Sequence, residues 1–336
     1  MKTPYPWFGG KAQVADLIWE RFGDVQNYVE PFFGGGAVLL NRPETHKGRI
    51  ETVNDINAWL TNFWRAVKAD PDAVAQYADW PVNEIDLAAR HDWLFAQKGE
   101  IAKMESDPDW YDAKLAGVWV WGVCSTIGNS WNPKSTHLGD AGRGIHRVGT
   151  HLGDAGMGVH RAGTRLGNAG RGTRLEYIQS MFRDLQARLD SVRVMCGDWK
   201  RVTSPTVTIK NGLTGMLLDP PYIDNCSAVY DDNEDVRGDV YDYAIEHGEE
   251  MRIAVCGYDG EYIFPDDWDC VAWKANGGYG GQSDRRGREN CKRERIWFSP
   301  MCIKQDLFAA SPGGCCAPEP DCRLTTGNNC DTMEAS

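Results

Sequence analysis

Two hydrophobic periods alternate along the chain. Seven short apolar runs, bounded by turn residues, have the length and the β-branched and aromatic content of strands. They are "YVEPF" from Tyr28, "ETVNDI" from Glu51, "SVRVMCGD" from Ser191, "GMLLD" from Gly215, "RIAVCG" from Arg252, "CVAW" from Cys270 and "RIWFS" from Arg295. Several run into a small or acidic residue, and in doubly wound sheets the carboxyl ends of strands are where ligands bind. Between residues 59 and 125 the period becomes helical. "AWLTNFWRAVKADPDAVAQYADW" and "DLAARHDWLFAQKGEIAKM" space their apolar residues for one face of a helix, with Pro71 and Pro81 as breaks. The pattern predicts an α/β core interrupted by a helical insertion.

A third pattern follows. "HLGDAGRGIHRVGT" (His137 to Thr150) is repeated as "HLGDAGMGVHRAGT" (His151 to Thr164) and again, altered, from Arg165 as "RLGNAGRGTRLEYI". Glycines this frequent exclude a stable helix and favour loops or hairpins. Two readings stay open on the window alone: a duplicated surface loop, or a nucleic-acid contact element in which glycines allow close approach and arginines supply charge. After Pro300 the chain turns to Pro, Gly and small polar residues, a composition that does not fold by itself.

Composition changes this picture at three points. With 336 residues, 42% hydrophobic and 25% charged, the chain has room for one large domain with an insertion or for two domains. The most apolar segment, Leu115 to Cys124, is too short to span a bilayer as a helix and no signal pattern opens the chain, so a cytoplasmic protein is expected. Eleven cysteines make no C-x-x-C pair, and Cys315, Cys316, Cys322 and Cys330 lack the spacing and histidines of a zinc site, so no metal is expected. The net charge of −12 argues against a nucleic-acid partner until its distribution is considered. Lys134, Arg143, Arg147, Arg161, Arg165, Arg171 and Arg174 face only Asp140 and Asp154 in their window, which leaves that stretch at +5. A second basic run, "DRRGRENCKRER", spans Asp284 to Arg295.

Three elements carry candidate chemistry. "NYVEPFFGGGAVLLN" (Asn27 to Asn41) reads as a strand, a glycine turn and a helix start. It is a nucleotide-type ligand loop or simply a tight connection, and it matches neither the phosphate-loop nor the dinucleotide fingerprint. Asp55 closes the next strand, placed either to accept ribose hydroxyls or to cap the helix beginning near Ala58. The third is "GMLLDPPYID", in which an aspartate and a tyrosine flank two prolines at a strand end. Asp219 and the Pro220 carbonyl could each accept one N–H of a conjugated exocyclic amine, localising its lone pair, while Tyr222 stacks on the base. The amine could then attack a sulfonium methyl group held in line.

Taken in order, the motifs resemble the Dam-like, adenine-specific (N6) DNA methyltransferases of bacteria and phages. "PWFGGK" (Pro6 to Lys11), "VEPFFGGG", "VNDIN", "CGDW" (Cys196 to Trp199), "DPPY" and "NGGYGGQS" followed by "ERIWFS" span most of Pro6 to Pro300. The resemblance implies a Rossmann-like mixed sheet with helices on both faces, formed by residues 1–58 and 176–305. It also implies an inserted, mainly helical target-recognition domain over 59–175, with the repeats at 137–174 and a tail at 306–336. S-adenosylmethionine would be the cofactor. Trp7 and Lys11 would contact it, with Lys11 near its carboxylate. Glu30, Phe32, Gly34 and Gly36 would shape the methionine pocket, Asp55 would take the ribose hydroxyls and Asp198 would lie near the adenine. Asp219, Pro220, Pro221 and Tyr222 would form the catalytic motif, Asp219 also facing the cofactor.

The implied partner is double-stranded DNA, contacted by the repeat arginines, with the target adenine flipped from the stack. A monomer or weak dimer is expected. Phe8 stands where the family often has a small residue, and Trp199 where phenylalanine is commoner. Methylation of an amine in RNA or protein is the nearest alternative, and a silent DNA-binding relative is a third. The acidic stretch Asp231 to Glu250 is expected to face solvent or to form a lid.

Overall fold

Each of the seven apolar runs forms a strand in the computed structural model, which describes residues 1–7, 9–46, 49–126, 131, 174–221, 236–273 and 293–304. The strands are β1 (Asn27–Glu30), β2 (Ile50–Asp55), β3 (Val192–Cys196), β4 (Thr214–Leu218), β5 (Arg252–Tyr258), β6 (Asp269–Ala272) and β7 (Glu294–Phe298). They make one sheet in the order β3-β2-β1-β4-β5-β7-β6. The first five strands of that order run parallel, and β7 is antiparallel to both β5 and β6. The central strands β1 and β4 are buried at every position, as a parallel strand covered on both faces must be. The edge strand β6 is largely exposed.

Chain direction reverses at the sheet's centre. From β1 the chain moves outward through β2 and β3, then returns to place β4 on the other flank of β1. The strand order thus reverses between β1 and β4, the kind of switch point at which open α/β sheets form a ligand crevice beyond the carboxyl ends of the strands. Glu30, Asp55 and Asp219 each stand at a strand end on this side of the sheet, and Gly34 and Gly36 lie in the turn that follows β1.

The helices are α1 (Ala15–Phe22), α2 (Ala37–Leu40), α3 (Ala58–Ala69), α4 (Pro71–Ala78), α5 (Glu84–Phe95), α6 (Lys98–Ile101), α7 (Ala113–Ser125), α8 (Arg174–Leu189) and α9 (Arg237–His247). Local chemistry sets their ends. Asn57 caps α3 by accepting from the Trp59 and Leu60 N–H groups. Asp70 terminates α3 and caps α4 through the Ala73 N–H, with Pro71 in the first turn, where its missing donor costs nothing. The apolar stretch from Leu115 is α7, buried nearly all round and held against α4. Gly117 permits this approach, since a Cβ there would sit 2.4 Å from the Tyr77 Cβ and 2.6 Å from the Val74 carbonyl.

Among the described residues no helix is long and apolar enough to cross a membrane. Residues Met1–Lys304 form one compact unit. The helices following β2 share its core: Phe63, Val74, Trp119 and Phe182 lie in the same apolar cluster as Tyr5, Phe22, Val53 and Leu217. Residue 59 therefore marks a change of period within a shared core. A second cluster joins Val29, Met216 and Val255 to Val240 and Ala244 of α9. That contact docks α9 on the sheet and turns Asp239, Asp242 and Glu246 to solvent. Six of the seven repeat-window bases, Lys134 to Arg171, lie outside the described residues, as do Tyr222 and the tail at 306–336. Arg174 is the first residue of α8.

Candidate cofactor and base site

The glycine turn after β1 is held from three sides. Gly34 and Gly36 have φ of 48° and 67°, the left-handed region that side chains disfavour, and Gly36 starts α2. A Cβ on Gly34 would stand 2.5 Å from Trp7 Nε1, so packing of the indole also requires glycine. The Gly34 carbonyl accepts from the Tyr5 hydroxyl at 3.0 Å and from Trp64 Nε1 at 3.3 Å. Its N–H donates to Asp55 Oδ2 at 2.9 Å, which ties the glycine loop to the end of β2.

Asp55 Oδ1 accepts the Asn57 N–H at 2.8 Å. Asp55 is therefore not the helix cap that one sequence reading allowed; Asn57 takes that role because it is the residue directly before α3. Burial raises the Asp55 pKa to about 6, although both backbone donors favour its ionised form. Each oxygen spends one lone pair on the backbone and keeps capacity for another donor. That is the donor set of a ribose diol, so the residue fits the group the sequence assigned to it.

Asn54, which sequence reasoning passed over, joins three loops. Its Nδ2 donates to the Pro31 carbonyl at 3.1 Å and to the Gly197 carbonyl at 2.9 Å, while its own carbonyl accepts the Phe33 N–H at 2.9 Å. The ends of β1, β2 and β3 are thereby held in fixed relation. Asp198 follows Gly197 and accepts the Lys200 N–H at 2.8 Å. Beside it Phe32 stacks on Trp199, with ring centroids 5.8 Å apart and planes at 29°. Phe32, Asp55 and Asp198 thus leave adjacent strands on the same side of the crevice.

Across the switch point stands Asp219, directly after β4, with Pro220 and Pro221. Its Oδ2 lies 2.9 Å from Lys11 Nζ, and the same ammonium donates to the Gly9 carbonyl at 2.7 Å. Burial disfavours the Lys11 ammonium, but attraction to Asp219, Cys256 and Glu294 outweighs it and raises its pKa. Sequence reasoning placed Lys11 beside the cofactor carboxylate; here its ammonium sits on the catalytic-motif acid. Glu30 closes β1 with its Oε2 accepting from the Tyr28 hydroxyl at 2.8 Å. Burial, and then the neighbouring charges of Asp219 and Asp55, push its pKa well up despite that bond and Lys11. Lys11 is thus attracted by Asp219 and Glu294, whereas burial favours the protonated, uncharged form of Glu30.

Cys256 and Glu294, on β5 and β7, and Trp273, just past β6, were also missed. Cys256 and Glu294 are buried, and the Trp273 ring centroid lies 5.8 Å from Lys11 Nζ. Glu294 opens the "ERIWFS" motif and Cys256 and Trp273 lie in strand-like runs, but no spacing marked any of the three as a site residue.

Residues 7–89 match the family model for D12 class N6 adenine-specific DNA methyltransferases. The Dam-like resemblance drawn from the motifs is borne out. Over 112 residues the chain is 29% identical to the Type II methyltransferase M.MjaIII of Methanocaldococcus jannaschii, an alignment covering 31% of this chain and 39% of that protein. It is 31% identical over 96 residues to the DNA N-6-adenine-methyltransferase of Escherichia phage P1, covering 27% of this chain and 12% of the relative. To the DNA adenine methylase of Vibrio cholerae it is 37% identical over 79 residues, 23% of this chain and 27% of that one. The matched part is thus less than half of each relative's length.

Proposed function

We propose that the chain transfers a methyl group from S-adenosylmethionine to the exocyclic N6 amine of an adenine in double-stranded DNA. The observation that carries this reading is that four motifs come together in two contacts at the carboxyl ends of the strands: the Gly34–Asp55 link on one side of the switch point and the Lys11–Asp219 pair on the other. The family match over residues 7–89 and the names of the relatives point the same way. When bound, S-adenosylmethionine supplies an electrophilic methyl group on a sulfonium centre.

This chain's residues bind, orient and hold protons. Asp55 accepts the ribose hydroxyls while Gly34 and Asn57 keep its carboxylate in place. Asp55, ionised above about pH 6, and Asp219 are the acids that favour the cation. Phe32 and Trp199 form the apolar floor beside Asp198. Asp219 and the Pro220 carbonyl would each accept a hydrogen bond from one amine N–H of the flipped base, so that the nitrogen lone pair turns toward the methyl group. As the N–C bond forms, the S–C bond would break with its electron pair left on sulfur, and one N–H proton would pass to water. In the resting arrangement Lys11 neutralises Asp219, and its ammonium must yield that oxygen when the amine arrives. The basic residues from Lys134 to Arg174 would neutralise DNA phosphates, and their number predicts a steep salt dependence.

The test is transfer of radiolabelled methyl groups to unmethylated bacterial DNA, with Asp219→Ala alongside and nucleoside digestion of the product. Label in N6-methyladenine from the wild type only is expected. Label in methylcytosine would overturn the base assignment. Cofactor binding without label in DNA would send the search to RNA or protein amines.

A further inference from the structure

Trp273 has two properties that the scheme above does not use. Its indole Nε1 is buried and finds no hydrogen-bond partner among the described residues, which a folded protein seldom tolerates. Its ring also faces the chemistry: the ammonium that stands 2.9 Å from Asp219 lies 5.8 Å from the Trp273 ring centroid. Carboxylate and indole are thus within reach of one purine. The ring's backbone is anchored, since the Trp273 N–H donates to the Glu294 carbonyl at 3.2 Å across the β6–β7 pair. The ring is only partly buried, so one surface stays accessible to a guest.

We infer that Trp273 is a substrate-contacting residue, a wall of the pocket for the target base whose indole N–H donates to an acceptor ring nitrogen of that base. This rests on the adenine-methylation reading. A base seated by its amine on Asp219 brings its ring nitrogens toward the indole. A donor there accepts adenine and excludes bases that carry N–H at the position beside the exocyclic group. Stacking and hydrogen bonding from one tryptophan would thus combine orientation with selection.

The experiment uses Trp273→Phe, which keeps a ring over Lys11 and removes the donor, with Trp273→Ala as the variant lacking both. Methylated positions are first mapped in genomic DNA treated with the wild type. Duplexes are then made in which one ring nitrogen of the target adenine at a time is replaced by C–H. For the wild type, one analogue should raise the DNA KM about tenfold, the effect of one hydrogen bond lost in a dry site. Trp273→Phe should show that loss already with adenine and no further loss with the analogue. S-adenosylmethionine affinity should be unchanged in Trp273→Phe, which separates this role from a merely structural one. A wild type indifferent to every analogue, or a Trp273→Phe variant that suffers the same analogue penalty as the wild type, would overturn the assignment. Absence of transfer by the wild type itself would instead defeat the underlying reading and take this assignment with it.

Discussion

Asp55→Asn separates two demands made on one carboxylate. Burial raises its pKa from the ordinary 3.8 to about 6. Between those values the folded chain keeps a proton that the unfolded chain has released. The stabilising contribution is complete below the unfolded value and is lost as pH rises through about 6. Above that, holding the ionised acid in its buried place costs the fold about 3 kcal/mol. Asparagine abolishes the titration but has one acceptor where the carboxylate has two. One of the Gly34 and Asn57 N–H groups then faces an amide NH2, at a cost of about 1–3 kcal/mol.

The variant should therefore be the less stable protein near pH 4 and should gain about 3 kcal/mol on the wild type by pH 7. Urea unfolding followed by tryptophan fluorescence at a series of pH values would measure this. Calorimetry at pH 8 should show S-adenosylmethionine bound about tenfold to a hundredfold more weakly, because at most one charge-assisted ribose bond of about 1.5–3 kcal/mol survives in weakened form. For the wild type, affinity should fall as pH drops below about 6, where Asp55 takes up its proton. Parallel stability curves for the two proteins would refute the buried-acid reasoning. An unchanged dissociation constant would refute the ribose role.

Gly34→Ala should cost about 1–2 kcal/mol for the left-handed backbone alone. Because its Cβ meets Trp7 Nε1 at 2.5 Å, cofactor binding should fall with it, read by thermal unfolding and calorimetry together. Asn54→Ala strands the Pro31 and Gly197 carbonyls and should cost about 2–4 kcal/mol in denaturant unfolding. It should also weaken cofactor binding, since three loops lose a shared tie; an affinity equal to the wild type's would mean the loops hold themselves. Gly117→Ala, remote from the crevice, should lose about 1–3 kcal/mol by overpacking α7 against α4 while leaving methyl transfer per folded molecule unchanged.

The strands were legible because a buried parallel strand is a continuous apolar run, and seven such runs stood out from helical spacing on either side. The glycine turn, Asp55 and Asp219 were legible because each sits where a strand ends, and a strand's end can be read from its neighbours. Asp55 could be read as the cap of α3 because it is a good cap residue only two positions before Asn57, and only the backbone geometry assigns the cap to Asn57. Trp273 and Cys256 carried no local signal of a site, and Glu294 was read only as the start of the "ERIWFS" strand motif. A lone tryptophan or a lone buried thiol reads as core in any sequence.

What the sequence determined by itself was therefore local: which segments are strands or helices, where they stop, and which side chains wait at those ends. Those properties depend on the chain's own period and on neighbours a few residues away. The order of the strands, and hence the crevice between β1 and β4, was decided by tertiary packing, because pairing depends on which apolar faces meet. The same packing set Lys11 on Asp219 and Trp273 beside them, joining residues from opposite ends of the chain. Burial completed the site: Asp55 is an ordinary carboxylate in the sequence, and only removal from water lifts its pKa toward neutrality.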